Sequence, residues 1–137
     1  YAELSAASAV PIAAGEAITL QAEYEQLLCL GRIHFVQPDL GRVGGITGGG
    51  RIAQLAARSG ACAVPHAFGT GVLLAASAHW TAAGEDPFTE YTLAPSPLAR
   101  DLVRHSMTFE AGELHLADEP GLGVELDADV VARYRVD

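Results

Sequence analysis

An ionisable side chain closes each of four short apolar runs in this chain, and the four closings are almost evenly spaced. The runs are Ala9-Val-Pro-Ile-Ala-Ala-Gly-Glu16, Ile33-His-Phe-Val-Gln-Pro-Asp39, Ala61-Cys-Ala-Val-Pro-His66 and the weaker Pro87-Phe-Thr-Glu-Tyr91, whose acid is Glu90. Runs this short, bounded by Gly and Pro and rich in Val, Ile and Phe, read as buried strands. Glu16, Asp39, His66 and Glu90 stand 23, 27 and 24 residues apart. Strand-and-crossover units of that length predict an α/β fold of the (β/α)8 barrel type, in which catalytic groups sit at the C-terminal ends of successive strands. An open doubly wound sheet gives the same alternation without requiring a polar residue at every strand end.

The intervening segments have helical periodicity. Leu20, Tyr24, Leu27 and Leu28 fall on one face, with Gly31 as the expected stop. Ile52, Leu55 and Ala56 mark the next helix and Gly60 its stop, while residues 71–83 are apolar nearly all round and so packed on several sides. Alternating strand and helix imply a parallel sheet with right-handed crossovers. A complete barrel takes about 250 residues, so residues 1–93, with four strand-end units, make half of one at most. Residues 1–8 read as the end of an amphipathic helix without its start, which suggests a piece of something larger.

Residues 94–137 break the pattern and read as a return segment outside the barrel. Pro95 and Pro97 punctuate a loop, residues 98–105 suit a short helix, and residues 107–116 suit a hairpin about Ala111-Gly112. Pro120-Gly-Leu-Gly123 is a turn, and Asp127 caps a last short helix.

Composition narrows the chemistry. The formal charge is −9, and all 8 basic residues are arginines. With no lysine, the chain offers no Schiff-base lysine, lysine general base or Walker-type phosphate lysine. An acidic balance without an Arg cluster argues against nucleic-acid and anionic-membrane partners, both of which need phosphates neutralised. No apolar stretch is long enough to span a bilayer. Cys29 and Cys62, without ligand spacing to a histidine, read as buried reduced thiols of a cytoplasmic protein.

If the barrel reading holds, Glu16, Asp39, His66 and Glu90 face one mouth. Taken singly, Glu16 and Asp39 suit helix caps, His66 a hydrogen-bonded core histidine and Glu90 a solvated loop acid. Their common phase favours chemistry. Asp39 and His66, on adjacent strands and each preceded by a proline, form a candidate general acid–base dyad, the carboxylate fixing the imidazole tautomer. The stretch Gly41-Arg-Val-Gly-Gly-Ile-Thr-Gly-Gly-Gly50 fits a tight turn into a helix better than a phosphate cradle. His34, His79, His105 and His115 receive no role.

The same residues resemble a known family. Ala9-Val-Pro-Ile-Ala-Ala-Gly-Glu16, Val36-Gln-Pro-Asp-Leu-Gly-Arg-Val-Gly-Gly-Ile-Thr47, Val64-Pro-His66 and Pro120-Gly-Leu-Gly123 are similar to the enolase superfamily, in its mandelate racemase and acid-sugar dehydratase branch. The resemblance runs over essentially the whole chain. It implies the C-terminal half of a (β/α)7β barrel, with a return segment that joins an α+β capping domain.

By the same resemblance Glu16 is the last of three Mg²⁺-binding carboxylates, and Asp39 and His66 are the dyad. Glu90 is the acid that hydrogen-bonds the enolate. The other two metal carboxylates and the second-strand base have no counterpart in this chain, which is therefore expected to be inactive by itself. The loops that discriminate substrates are expected largely in the family's N-terminal part. Ala17 stands where the family often has asparagine, and Gly48 to Gly50 where it has better helix formers. The absence of a lysine at the Asp39 strand separates the chain from the lysine-base branches.

The implied chemistry is Mg²⁺-dependent removal of the α-proton of a small carboxylate such as a sugar acid. Dehydration is the leading outcome, and racemisation or epimerisation of a 2-hydroxy acid the alternative. A reading of another class is a non-catalytic half-barrel that self-associates through its open sheet edges. The expected partners are therefore the substrate and either a second copy or the missing N-terminal half.

Overall fold

The computed structural model describes residues 1–85, 88–94, 96–105, 107–116 and 118–136, with only the backbone of His105. Helix α1 (Ala2–Ala7) leads into β1 (Ala13–Ala14); α2 (Gln21–Gly31) then joins β1 to β2 (Phe35–Val36), and α3 (Gly45–Arg58) joins β2 to β3 (Cys62–Ala63). The three strands form one parallel sheet in the order β1-β2-β3, with Ala13 opposite Phe35 and Phe35 opposite Cys62.

Each strand is shorter than its apolar run because prolines thin the ladder. Backbone bonds continue past the strands, from Gln37 N–H to the Ala14 carbonyl at 2.9 Å and from Val64 N–H to that of Val36 at 2.9 Å. Pro38 and Pro65, both fully buried, have no N–H to give. Beyond them the last rung is an isolated parallel bridge between Asp39 and His66, with His66 N–H on the Pro38 carbonyl at 3.0 Å.

The expected fourth strand does not form among the described residues of its run, 88–91; Pro87 lies outside them. Side chains take the backbone partners a ladder would have used. The Ala67 N–H donates to the Glu90 carboxylate at 3.1 Å, and the Thr81 hydroxyl donates to the Phe88 carbonyl at 3.4 Å. Glu90 therefore reaches its neighbour through its side chain.

Apolar faces build two clusters. Tyr24 and Leu28 of α2, Ile52 and Ala56 of α3, and Val36 and Ala63 of the sheet form one. Burial of each larger side chain contributes about 1.5–3 kcal/mol. Helix α4 (Gly71–Ala82) is buried on several sides, as expected, and its Leu74, Ala75 and Ala78 join Ala67 and Met107 in the second cluster.

Two sequence expectations about α2 are corrected. Gly31 belongs to the helix, and the left-handed stop is Arg32 at φ 50°. A Cβ at Gly31 would lie 3.2 Å from both Leu27 Cδ1 and Tyr1 Cβ, so this glycine admits the start of α1 rather than ending α2. Cys29, expected to be buried, is exposed, because Tyr24 and Leu28 turn the opposite face inward; Cys62 is half-buried.

In the tail, only α5 (Pro97–Arg100) is helical where residues 98–105 were expected to be; Pro95 lies outside the described residues. Val103–His105 is instead β4, which pairs antiparallel with β7 (Val124–Leu126) and buries Val103. The hairpin forms as read: β5 (Thr108–Glu110) and β6 (Glu113–His115) flank Ala111 at φ 52° and Gly112 at φ 86°, a left-handed pair that suits a two-residue hairpin turn. Helix α6 (Ala128–Tyr134) is capped by Asp127, which accepts the N–H groups of Asp129 and Val130 at 3.0 and 3.1 Å.

The glycine stretch is a turn into α3, with Gly44 and Gly45 at φ 89° and 75°. Gly48 and Gly49, poor helix formers for entropic reasons, stand in α3 for a packing reason. A Cβ on Gly48 would strike the Val43 carbonyl, and one on Gly49 would strike Leu40 and lie 3.1 Å from Trp80 Nε1. At Gly50 a Cβ meets nothing within 4 Å.

Tyr24 holds the loop after β1. Its ring is wholly buried, and its hydroxyl donates to the carbonyls of Gly15 at 2.8 Å and Ile18 at 3.1 Å, on either side of Glu16. Burial, reinforced by the charges of Asp39 and Glu23, raises this phenol from 10.0 to about 12.

Two predictions follow from these contacts. Gly49→Ala costs roughly 1–3 kcal/mol through overpacking, whereas Gly50→Ala gains up to about 1 kcal/mol of helix propensity; urea unfolding of both variants reads the contrast. The raised Tyr24 pKa favours the folded state below the unfolded value of 10.0, and that contribution is lost as pH climbs through about 12. Denaturant midpoints should therefore fall over this alkaline window, and fall less in Tyr24→Phe.

Candidate active site

The β2–β3 register places Asp39 and His66 side by side at the ends of neighbouring strands. Asp39 is only 4% exposed and is held at both oxygens. Oδ1 accepts the Gly41 N–H at 2.8 Å, and Oδ2 lies 3.0 Å from His66 Nδ1. The Arg42 Nε stands 3.6 Å from the same Oδ2. An ionised carboxylate only accepts hydrogen bonds, so Asp39 selects the Nδ1–H tautomer and leaves the Nε2 lone pair available.

Around Nε2 the other two expected residues converge. Glu16 Oε2 is 3.6 Å away and Glu90 Oε2 is 3.9 Å away. The Ala67 N–H holds that Glu90 oxygen, and the loop fixed by Tyr24 presents Glu16, whose side chain is 64% exposed. All four residues chosen from the sequence thus meet at one imidazole. The arrangement provides an oriented base flanked by two carboxyl groups.

Whether the chain builds a metal centre is a separate matter. Among the described residues Glu16 makes no hydrogen bond, which suits a ligand. Yet no group of three or more His, Cys, Asp or Glu among the described residues is placed to hold a metal ion. Mg²⁺ demands near-octahedral oxygen coordination, so these residues do not form its site by themselves.

Three contacts at this site were not singled out from the sequence. Tyr24 was read only as a residue of the apolar face, and a helical period carries no information about a hydroxyl. Arg42, three residues after Asp39, sits in the recognised motif, and its spacing alone could have suggested the ion pair. Phe68, two residues after His66, lies with its ring centroid 6.5 Å from the imidazole.

Two unassigned histidines have structural uses. His34 Nδ1 accepts the Ile12 N–H at 3.0 Å, and His79 Nε2 pairs with the Leu122 carbonyl at 3.2 Å, tying the tail to α4. His115 is exposed beside Glu113 at 3.8 Å. No helix among the described residues is long and apolar enough to cross a membrane.

Known proteins share this framework. Residues 1–130 match the family described as enolase C-terminal domain-like. The chain is 31% identical over 99% of its length to a D-galactarolactone cycloisomerase of Agrobacterium fabrum, covering 38% of that protein. It is 31% identical over 97% of its length to a D-galactonate dehydratase of Xanthomonas oryzae, covering 37%. The crystal structure of a 3,6-anhydro-D-galactonate cycloisomerase from Zobellia galactanivorans superposes with a TM-score of 0.90 at 30% identity, over 96% of this chain and 38% of that one. A mandelate racemase/muconate lactonizing enzyme from Jannaschia sp. CCS1 gives 0.88 at 34% identity, over 99% and 35%. The chain therefore spans little more than a third of the relatives it matches, and across nearly all of its own length it belongs to the enolase C-terminal domain-like family.

Proposed function

We propose that this chain forms part of a cytoplasmic enzyme that removes the α-proton of a carboxylate substrate through an enolate, in the leading case dehydrating a sugar acid. In this reading residues 1–93 are the C-terminal half of a (β/α)7β barrel, and residues 94–137 return toward a capping domain. The observation that carries it is the 3.0 Å Asp39–His66 pair with two carboxyl groups within 4 Å of the free imidazole nitrogen.

His66, with Nδ1–H held by Asp39, takes the α-proton at Nε2. The electron pair of the broken C–H bond moves into the carboxylate as an enediolate, and Glu90 in its protonated form donates to those oxygens. In a dehydration the C–O bond to the β-hydroxyl then breaks, and the proton on His66 leaves with that oxygen as water. The enol left behind becomes a 2-keto acid.

Charge supports a requirement for a cation. A carboxylate substrate entering this mouth meets the carboxylates of Glu16 and Asp39, with Arg42 the one arginine within 4 Å of the site's acids among the described residues. Like charges at about 4 Å repel by roughly 1 kcal/mol in water and about 4 kcal/mol at a protein surface. Mg²⁺ would offset that repulsion and stabilise the enediolate, with Glu16 as this chain's ligand and the other ligands supplied from outside it.

The comparisons favour a second outcome for the same intermediate. Two relatives are named cycloisomerases, and in this reading the enolate would then lead to opening or rearrangement of a ring. Racemisation or epimerisation would need a second, opposing base. Loss of the β-hydroxyl as water separates dehydration from both.

In D₂O the whole protein with Mg²⁺ should exchange the α-proton of at least one acid in a broad sugar-acid panel, and chelation should abolish the exchange. His66→Asn and Asp39→Asn should each lower it by roughly 100-fold or more. Absence of exchange across the panel would overturn the reading.

A non-catalytic reading draws on a different observation. Val10, Leu20, Leu30 and Leu93 are exposed apolar side chains, and β1 stands at the edge of the sheet. The purified 14.2 kDa chain should therefore self-associate in light scattering, and a monodisperse monomer would exclude this reading.

A further inference from the structure

Beside the site, with Phe68 in its wall, is a cavity of about 220 Å³ lined also by Gly69, Thr70, Thr92, Ser96 and Leu98. It lies between two loops, one leaving His66 and the other leaving Glu90. Phe68 follows His66 by two residues and rests its ring 6.5 Å from the imidazole centroid. Thr92 follows Glu90 by two. The chain segments that hold the reacting groups thus run directly into the cavity walls.

From this continuity we infer that the cavity is a subsite for the hydroxylated chain of the substrate beyond its reacting carbons. The inference rests on the α-proton reading given above. Size sets the class of occupant: pockets for drug-sized ligands are about 300–1,000 Å³, so this one takes a short open chain rather than a nucleotide or a fused ring.

Hydrogen bonding sets its polarity. The hydroxyl oxygens of Thr70, Thr92 and Ser96 each accept a backbone N–H, from Leu73 at 3.3 Å, Ala94 at 3.2 Å and Ala99 at 3.3 Å. Among the described residues none of the three hydroxyl protons has an acceptor. Each is therefore a donor available to an oxygen-rich ligand. Phe68 and Leu98 supply apolar walls for the C–H edges of such a chain. A hydrocarbon tail would leave the donors without partners and be disfavoured. Part of substrate discrimination thus resides in this chain, beyond the N-terminal loops expected to dominate it.

The test compares a three-carbon 2-hydroxy acid with six-carbon sugar acids in the whole protein. It uses wild type, Thr92→Val, which removes one donor, and Leu98→Trp, which fills the cavity and leaves the capping hydroxyls in place. Two readouts are taken: α-proton exchange in D₂O, and calorimetric binding of the same acids. The ratio of kcat/KM for the long acid over the short should fall roughly three- to tenfold in Thr92→Val, the worth of one neutral hydrogen bond. It should fall further in Leu98→Trp, with KM for the long acid rising.

Equal losses for both acids, or none, would overturn the subsite while leaving the α-proton reading intact. Conversely, wild type that binds long acids without exchanging them, with binding weakened in both variants, would uphold the subsite and remove the reading.

Discussion

The site depends on the register between β2 and β3. In a parallel pair, opposed residues project to the same side, and a slip of one residue would send one of the two to the other face. The bridge between Asp39 and His66 is the last rung of that ladder, beyond two buried prolines that interrupt the backbone pairing. There the carboxylate–imidazole bond adds a side-chain rung to the backbone bond from His66 N–H to the Pro38 carbonyl. Once the ring is fixed by Asp39, the position of Nε2 follows, and Glu16 and Glu90 have one point on which to converge.

The phase of the strand ends was legible because a polar residue at the end of an apolar run has few other uses when it recurs at one interval. The faces of α2 and α3, the hairpin about Ala111 and Gly112, and the cap at Asp127 were legible for a similar reason, since each is specified by residues within a few positions of one another. Contacts between distant segments left no such mark. Gly31 looked like a stop because glycine usually is one, but its lack of a side chain serves the approach of Tyr1. Residues 103–105 were read as helix because nothing local reveals that Val103 will find Leu126. The fourth run failed as a strand because Glu90 and Thr81 satisfy through side chains what a ladder would have satisfied through the backbone.

The glycine run illustrates how one sequence feature can serve two demands at once. Gly44 and Gly45 supply the positive φ that turns the chain out of the Asp39 loop. Gly48 and Gly49 let the first turns of α3 press against Val43, Leu40 and Trp80. That close packing sets the start of α3 directly behind the loop from which Arg42 reaches Asp39. Helix propensity is sacrificed over one turn, and the geometry of the dyad's anion gains a fixed support.

The dyad is easier to read from the sequence than the cavity beside it for a structural reason. Asp39, His66 and Glu90 are each held by backbone groups near the sheet, through the N–H of Gly41, the carbonyl of Pro38 and the N–H of Ala67 respectively. Each of these residues thus follows directly from the backbone pairing around it. Phe68 and Thr92 stand two residues farther out, where the chain has left the sheet, and Leu98 lies in α5; the hydroxyls of Thr70, Thr92 and Ser96 hold the backbone there. The same scaffold thus fixes the Asp39–His66 pair close to the sheet and leaves the walls of the neighbouring cavity to residues farther along the chain.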